Sequence, residues 1–265
     1  MRADAARWAT PLQAVSLGLQ QALQHKTDFA LGFVSALFPL FVQYYLWSTL
    51  YAHGYAIPGY GYRDILLYSV LAAAIGRIVH TGFEYEVASD IKHGGLARYL
   101  VQPVAYAQIR LGHFMGTKLP WYAVVGAALV GLALWSGVAP GRTAAMLLAI
   151  ALGLTINVLI FFCVGFLCFW FDEAAYLFEG VRIAIVVLSG GIVPLAAFGP
   201  QAQTALNLLP FRSIISVPIE IATGQLAGTA MAGALALQAF WIALLAAIAY
   251  AMWRVGLRSF MATGG

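Results

Sequence analysis

Charged residues are scarce in this chain: they make up 9% of its 265 residues, while 62% are hydrophobic and the mean hydropathy is +0.85. Soluble domains carry about 25% charged residues. A soluble chain of this length has too little interior to bury so much apolar surface. Several apolar runs instead approach the roughly 20 residues that a helix needs to cross a bilayer. The composition therefore predicts an integral membrane protein.

Other features that the sequence lacks narrow the class further. The apolar runs do not alternate with polar residues as the strands of a transmembrane barrel do, so the spans are predicted to be helices. Only two cysteines occur, Cys163 and Cys168, and their spacing of five would point them in different directions on a helix. We interpret them as small apolar residues without a disulfide or a metal site.

Sequence patterns for enzyme chemistry are also missing. No Gly-x-x-x-x-Gly-Lys-Ser/Thr sequence, the loop that cradles phosphates, occurs in the chain. The stretch Gly116-Thr117-Lys118 has a glycine and a lysine, but they are not adjacent as that loop requires. The chain has no histidine cluster of the metal-binding kind and no Gly-x-Ser-x-Gly elbow. The net charge of +4 gives no nucleic-acid signal. We therefore expect no catalysis, no cofactor and no metal on this chain.

Residues 1–28 predict a cytoplasmic segment with an amphipathic helix. Arg2, Arg7 and Lys26 are not followed by the apolar core of a signal peptide. Apolar side chains recur at helical spacing after Pro11, at Leu12, Val15, Leu19 and Leu23. The pattern favours a helix that lies in the membrane interface. The alternative is a solvated helix packed on the rest of the domain.

Six apolar runs predict a six-helix transmembrane domain over residues 29–258, with spans at 29–50, 64–83, 119–138, 143–171, 176–198 and 231–253. The segment 199–230 is too apolar for a free external loop. Prolines and glycines divide it into pieces that are shorter than a span. We expect short re-entrant helices there, at about 206–209 and 214–221, because irregular backbone at membrane depth must be buried in protein or line a wet cavity.

The distribution of lysine and arginine predicts that both termini are cytoplasmic. With that orientation, nine basic residues lie inside: Arg2, Arg7, Lys26, Lys92, Arg98, Arg110, Lys118, Arg254 and Arg258. Three lie outside: Arg63, Arg142 and Arg212. This bias satisfies the positive-inside rule.

The longest charged segment, residues 84–118, is predicted to be a cytoplasmic loop. Gly94 and Gly95 allow a sharp reversal after Asp90 and Lys92. Beyond it, one face of a short helix collects Leu96, Tyr99 and Leu100, with Arg98 beside them and Pro103 at its end. Such a face either fits a groove on a soluble subunit or rests on the membrane surface.

Two stretches of this chain resemble the membrane subunits of ABC-2 type transporters. The first, Asp90-Ile-Lys-His-Gly-Gly-Leu-Ala-Arg-Tyr-Leu-Val-Gln-Pro103, is similar to the loop after the second span in that family. The second is similar to the end of the fifth span and the external segment after it, at Ser189-Gly190-Gly191-Ile192-Val193-Pro194-Leu195, Leu209-Pro210-Phe211, Pro218 and Thr223-Gly224. With the six-span layout, the resemblance covers nearly the whole chain.

The resemblance implies a permease subunit of an ABC exporter with the fold of type V exporters. It implies a coupling helix between spans 2 and 3 that contacts a separate ATPase, which binds ATP and Mg. Because six spans form half of a pathway, it also implies a second permease subunit, identical or related, in a cytoplasmic membrane of the bacterial type. The residues assigned to coupling are Asp90, Lys92, Gly94, Gly95, Leu96, Arg98, Tyr99, Leu100 and Pro103.

Two further sets of residues are candidates with two interpretations each. Phe38, Phe41 and Tyr45 either line a cavity for a bulky apolar substrate or face lipid and other helices; Pro194 and Phe211 are added to the pathway from the resemblance. Charged groups near span ends are more often structural ion pairs than a proton relay. This second set contains Arg77, Glu84, Glu179 and Arg182.

Two other functions remain open on the residues alone. The first is a secondary transporter or channel that is driven by an ion gradient and uses Glu179, Arg182 and Arg77 as a relay. It predicts transport without an ATPase. The second is an anchoring subunit that only recruits a soluble partner and moves no substrate.

Overall fold

The computed structural model describes residues 2–24, 26–171 and 173–260, without the side chains of residues 2–10, 26–30, 33, 36 and 175. All regular secondary structure in these residues is helical. This agrees with the predicted all-α class. Asp172, between the predicted fourth and fifth spans, lies outside the described residues.

The first half of the described chain forms six helices. They are α1 (Arg2–Gln24), α2 (Lys26–Ala52), α3 (Tyr62–Val79), α4 (Phe83–Lys92), α5 (Ala97–Leu100) and α6 (Tyr106–Trp135). The predicted loop 84–118 is therefore largely helical, since α4 fills its beginning and α6 its end. Arg110 and Lys118 do not interrupt α6, because long basic side chains are good helix formers.

The second half of the described chain forms five α-helices and three short 3-10 turns. The helices are α7 (Pro140–Phe166), α8 (Leu177–Leu188), α9 (Pro200–Leu208), α10 (Ser216–Thr223) and α11 (Gly228–Ser259). The 3-10 turns are Leu167–Phe169, Ala174–Tyr176 and Leu195–Ala197. The first re-entrant helix begins earlier than the predicted 206–209, because Pro200 suits the first position of a helix.

Four segments of the described chain are long and apolar enough to cross a membrane. They are Tyr62–Lys92, which joins α3 and α4, then Tyr106–Trp135, Pro140–Phe169 and Gly228–Ser259. The predicted first span, 29–50, lies within α2. The chain is thus a multi-pass membrane protein.

The predicted fifth span, 176–198, is not one continuous helix in the structure. Its helix, α8, has 12 residues and ends at Leu188. At about 1.5 Å per residue it is roughly 18 Å long, which is short of a hydrocarbon core of about 30 Å. Gly190 has a positive φ of 82°, and the backbone turns there. The turn is fixed by the Tyr68 hydroxyl, which donates to the Gly190 carbonyl at 2.7 Å.

The core is built around α7 and the segment that follows the α8 break. Ile214, Ile219 and Ile221 are fully buried. Buried amides tie the elements together: Asn157 donates to the Val79 carbonyl at 2.7 Å, and Gln238 donates to the Ser213 carbonyl at 2.8 Å. The bond of Asn157 joins α7 to α3. The backbone after the break is therefore buried in protein, as membrane depth requires.

The N-terminal helix α1 packs against the first half of α6 through small residues. A Cβ added at Gly112 would lie 2.8 Å from the Pro11 carbonyl oxygen, and one at Gly116 would lie even closer to the Val15 carbonyl oxygen. Small residues let two helix backbones approach closely. Leu12 and Leu23 stay exposed on another face of α1. The helix is therefore packed on the domain while it keeps an apolar face outside.

Candidate functional site

A buried carboxylate at the end of α4 anchors the turn that follows. Asp90 accepts hydrogen bonds from the Tyr106 hydroxyl at 2.7 Å, from Arg110 Nε at 2.8 Å and from Arg98 Nη2 at 3.4 Å. The Asp90 carbonyl oxygen accepts from the Leu96 N–H at 2.9 Å. We call residues 93–105 the α4–α6 turn. Asp90 fixes its conformation from inside.

Local sequence explains why the chain reverses at this place. Gly94 has a φ of 72°, a conformation that glycine adopts without steric cost. Gly95 lies against the Asp90 carboxylate, so that a Cβ there would be 3.0 Å from Oδ1. Lys92 is in the last turn of α4, where a positive charge is favourable beside the helix carbonyls.

Arg110 clamps the two helices that flank the turn. It forms ion pairs with Asp90 and with Glu86, both on α4. Its guanidinium lies 5.1 Å from the ring centroid of Tyr99. Pulling α4 away from α6 would leave the charge of Arg110 uncompensated in the interior, which is strongly unfavourable. The ion pairs therefore hold α4, the turn and α6 together as one unit.

The predicted apolar face of the short helix α5 is divided between the interior and the surface. Leu96 is fully buried, and Tyr99 packs edge-on against Tyr106 with ring centroids 5.4 Å apart. Only Leu100 of the three is exposed, at 45%. The most exposed apolar side chain of the turn is Val101, at 84%. The expectation that Leu96 and Tyr99 face outward is therefore wrong, because the anchored turn rotates them toward the core.

The outer surface of the α4–α6 turn is small, apolar and basic. It consists of Leu100, Val101, Gln102 and Pro103, with Arg98 beside them. Arg98 lies over the ring of Tyr99, with 4.8 Å between the guanidinium carbon and the ring centroid. Sequence reasoning missed Val101, because Val101 is five residues after Leu96 and the predicted face was built from residues three and four apart.

A second charged cluster joins the beginning of α4 to α8. Glu84 is fully buried and forms an ion pair with Arg182. Arg182 also pairs with Glu179 at 3.4 Å and donates to His80 Nδ1 at 2.9 Å. The Tyr85 hydroxyl donates to Glu179 at 2.6 Å. We call these five residues the Arg182 cluster.

Arg77, the fourth of the charged candidates, makes its contacts outside the Arg182 cluster. It donates to the Gly32 carbonyl at 3.3 Å, and its guanidinium carbon lies 4.4 Å from the ring centroid of Trp121. These contacts join α2, α3 and α6. Among the described side chains, Glu179 and Arg182 form an ion pair with each other, and neither forms an ion pair or hydrogen bond with Arg77.

The predicted pathway residues do not converge on one cavity. Phe38, Phe41 and Tyr45 are exposed along α2, whereas Pro194 is buried and Phe211 packs half-buried on the core. Phe41 borders a cavity of about 510 Å³ between α2 and α3.

A more polar cavity of about 460 Å³ lies beside the α8 break. Its lining includes Tyr60, Gln203 and the ion pair between Arg212 and Glu220. Sequence reasoning missed this cavity, and the signal that could have found it is the two opposite charges eight residues apart in an apolar segment.

Comparison with models of known protein families matches residues 37–264 to the model described as ABC-2 family transporter protein. The match covers most of the chain. The chain belongs to the ABC-2 family of transporter proteins. Searches of curated proteins and of solved structures gave no significant match.

Membership in the ABC-2 family confirms the resemblance that was drawn from the loop 90–103 and from residues 189–224. It makes the chain a membrane component of an ABC transporter, and this component is not itself catalytic. The family also implies an ABC ATPase as a partner in general terms. The α4–α6 turn, which carries the first resemblance, is accordingly the candidate site.

Proposed function

We propose that this chain is the permease subunit of an ABC exporter in a cytoplasmic membrane, with both termini in the cytoplasm. It forms half of the substrate pathway, and a second permease, identical or related, supplies the other half. A separate ATPase binds ATP and Mg and contacts the α4–α6 turn. The basic residues on the predicted cytoplasmic side support this orientation.

The observation that carries the proposal is the way Asp90 holds the turn. Its bonds to Tyr106, Arg110 and Arg98 fix the turn to both α4 and α6. A force on the exposed tip at Val101 is therefore transmitted to α4 and α6 instead of being absorbed by a flexible loop. A rigid element with a small exposed apolar tip is suited to move with a partner that closes beneath it.

The Arg182 cluster extends the route of transmission. Glu84 is in the first turn of α4, and its ion pair with Arg182 links α4 to α8. The other end of α8 is the break at Gly190, which Tyr68 and Ser216 hold against the external segment. Motion of α4 would thus reach the segment over the proposed exit of the pathway.

The test is a change at the exposed tip that leaves the anchor intact. We expect Val101→Asp to remove the ATPase that copurifies with the unaltered chain, because a charge would be buried in an apolar contact. Leu96→Asp is unsuitable, since Leu96 is fully buried and its loss would disrupt the turn itself. The measurement is the ratio of ATPase to permease after affinity purification from membranes.

Tyr55→Asp is the matched control. Tyr55 is also an exposed large side chain in a loop, but that loop lies on the predicted external side. It should retain the ATPase. If Val101→Asp retains the ATPase and coupled ATP hydrolysis as Tyr55→Asp does, the turn is not the docking site.

A further inference from the structure

A groove lies directly behind the α4–α6 turn, between α6, α7 and α11. Its volume is about 560 Å³, within the range of about 300–1,000 Å³ that is usual for small-molecule sites. Apart from Gln102, Thr155 and tyrosine hydroxyls, its lining is apolar. Stacked aromatic rings form part of it: Tyr106 lies parallel to Trp253, with ring centroids 5.1 Å apart.

The groove is flanked by α6 and α11, whose apolar surfaces are largely uncovered. The rest of the described chain covers very little of the apolar stretches of α6 and α11 that are long enough to span a membrane. Tyr250 and Trp253, on the α11 wall, are residues of the kind that concentrates at the headgroup level of a membrane. An occupant can therefore enter from the lipid and place a polar end at the level of these rings.

Two walls of the groove, α11 and the turn, each carry an exposed cation near the rim. On the α11 wall, Arg254 donates to the Tyr250 hydroxyl at 3.3 Å. On the turn wall, Arg98 lies over the ring of Tyr99, which lines the groove. Arg98 also touches Asp90, but 66% of its side chain remains exposed. Basic residues above an apolar groove between membrane helices complement an anionic headgroup above acyl chains.

We infer that this groove binds an anionic phospholipid of the surrounding membrane, with an acyl chain along Tyr106 and Trp253 and the phosphate between Arg98 and Arg254. The inference rests on the proposed function for the cytoplasmic orientation of the groove. The bound lipid contacts Tyr99 and Leu100 of the turn and Tyr106, a partner of Asp90. It therefore supports the turn from behind, and the lipid composition of the membrane regulates coupling.

The test uses the purified chain without any ATPase, in detergent micelles that contain a photoactivatable phosphatidylglycerol or the matching phosphatidylcholine. We expect labelling by phosphatidylglycerol to exceed labelling by phosphatidylcholine and to map to the groove. Arg254→Gln should weaken phosphatidylglycerol binding about fivefold, because each basic side chain near an anionic surface contributes roughly 1 kcal/mol. Arg63→Gln, an exposed arginine on the predicted external side, is the control and should bind normally.

A second pair of variants tests the apolar part. Ala246 lines the groove and Ala247, its neighbour on α11, does not. Ala246→Trp should block labelling, and Ala247→Trp should leave it unchanged, with equal thermal unfolding midpoints as the check on folding. Equal labelling by the two lipids, or equal labelling of the two tryptophan variants, would overturn the inference. Val101→Asp should be labelled normally, so a failure of the docking proposal and a failure of the lipid site are separable.

Discussion

Both ends of α4 are held by a buried carboxylate, but the two carboxylates are paired to different degrees. Asp90, at the end of α4, accepts hydrogen bonds from Tyr106, Arg110 and Arg98. Glu84, at its beginning, accepts from Arg182 through one oxygen. The other oxygen, Oε2, has no hydrogen-bond partner within the described part of the chain. A buried unpaired polar atom costs about 1–3 kcal/mol.

This difference indicates where the molecule is rigid and where it can change. The Asp90 anchor is saturated, so α4, the turn and α6 move together. Arg182 is shared between buried Glu84 and exposed Glu179. The contact between α4 and α8 therefore depends on one half-satisfied buried ion pair and is the weaker of the two anchors of α4.

The largest expected effect follows from removing the saturated anchor. Asp90→Ala leaves Arg110 buried beside Tyr106 with only the half-exposed Glu86 as its acidic partner. We expect a loss of about 3–5 kcal/mol in the free energy of unfolding, as for other broken buried ion pairs. The measurement is chemical unfolding of the purified protein in detergent micelles, followed by circular dichroism.

Glu86→Ala is the control for that experiment. Arg110 keeps Asp90 in this variant, and half-exposed ion pairs contribute only about 0–1 kcal/mol. Equal stability of Asp90→Ala and Glu86→Ala would contradict the assignment of Asp90 as the anchor of the turn.

A smaller effect is expected at the other end of α4. Arg182→Met removes the partner of buried Glu84, and we expect it to lose about 3 kcal/mol, the lower end for such pairs, because Glu84 is already half-unpaired. The double variant Glu84→Gln with Arg182→Met should be more stable than Arg182→Met alone, since no charge is left buried. Unfolding of the three variants in the same detergent measures this. A double variant that is less stable than Arg182→Met would contradict the ion pair.

The sequence predicts the class of the protein and the local ion pair of Arg182, but not the partner of the buried carboxylate Glu84. Composition and run length suffice for the class, since lipid imposes helices on apolar segments. Helical spacing places Glu179 near Arg182, three residues apart. The partner of Glu84 is 98 residues away in sequence, and no local pattern brings Arg182 to it.

The orientation of the turn shows a second limit. The spacing of three and four residues places Leu96, Tyr99 and Leu100 on one face of a helix. It does not say whether each of these side chains is covered by the rest of the protein or exposed. The partners of Asp90 decide it, and they come from α5 and α6. Similarly, Gly190 and Pro194 permit a break in the fifth span, but the contacts of Tyr68 and Ser216 on its backbone fix the break.

The smallest effect is expected at Glu179, the exposed member of the Arg182 cluster. Glu179→Gln keeps the hydrogen bond with Tyr85 within reach and leaves the pair between Arg182 and Glu84 in place. Transport by the full complex in proteoliposomes, and its ATP hydrolysis, should stay close to those of the unaltered protein. An ion-gradient transporter that uses Glu179 as a relay would instead lose transport on this change and would move substrate without the ATPase. Glu179→Gln therefore separates an ABC permease from an ion-gradient transporter by its effect on transport, while it has little effect on the fold.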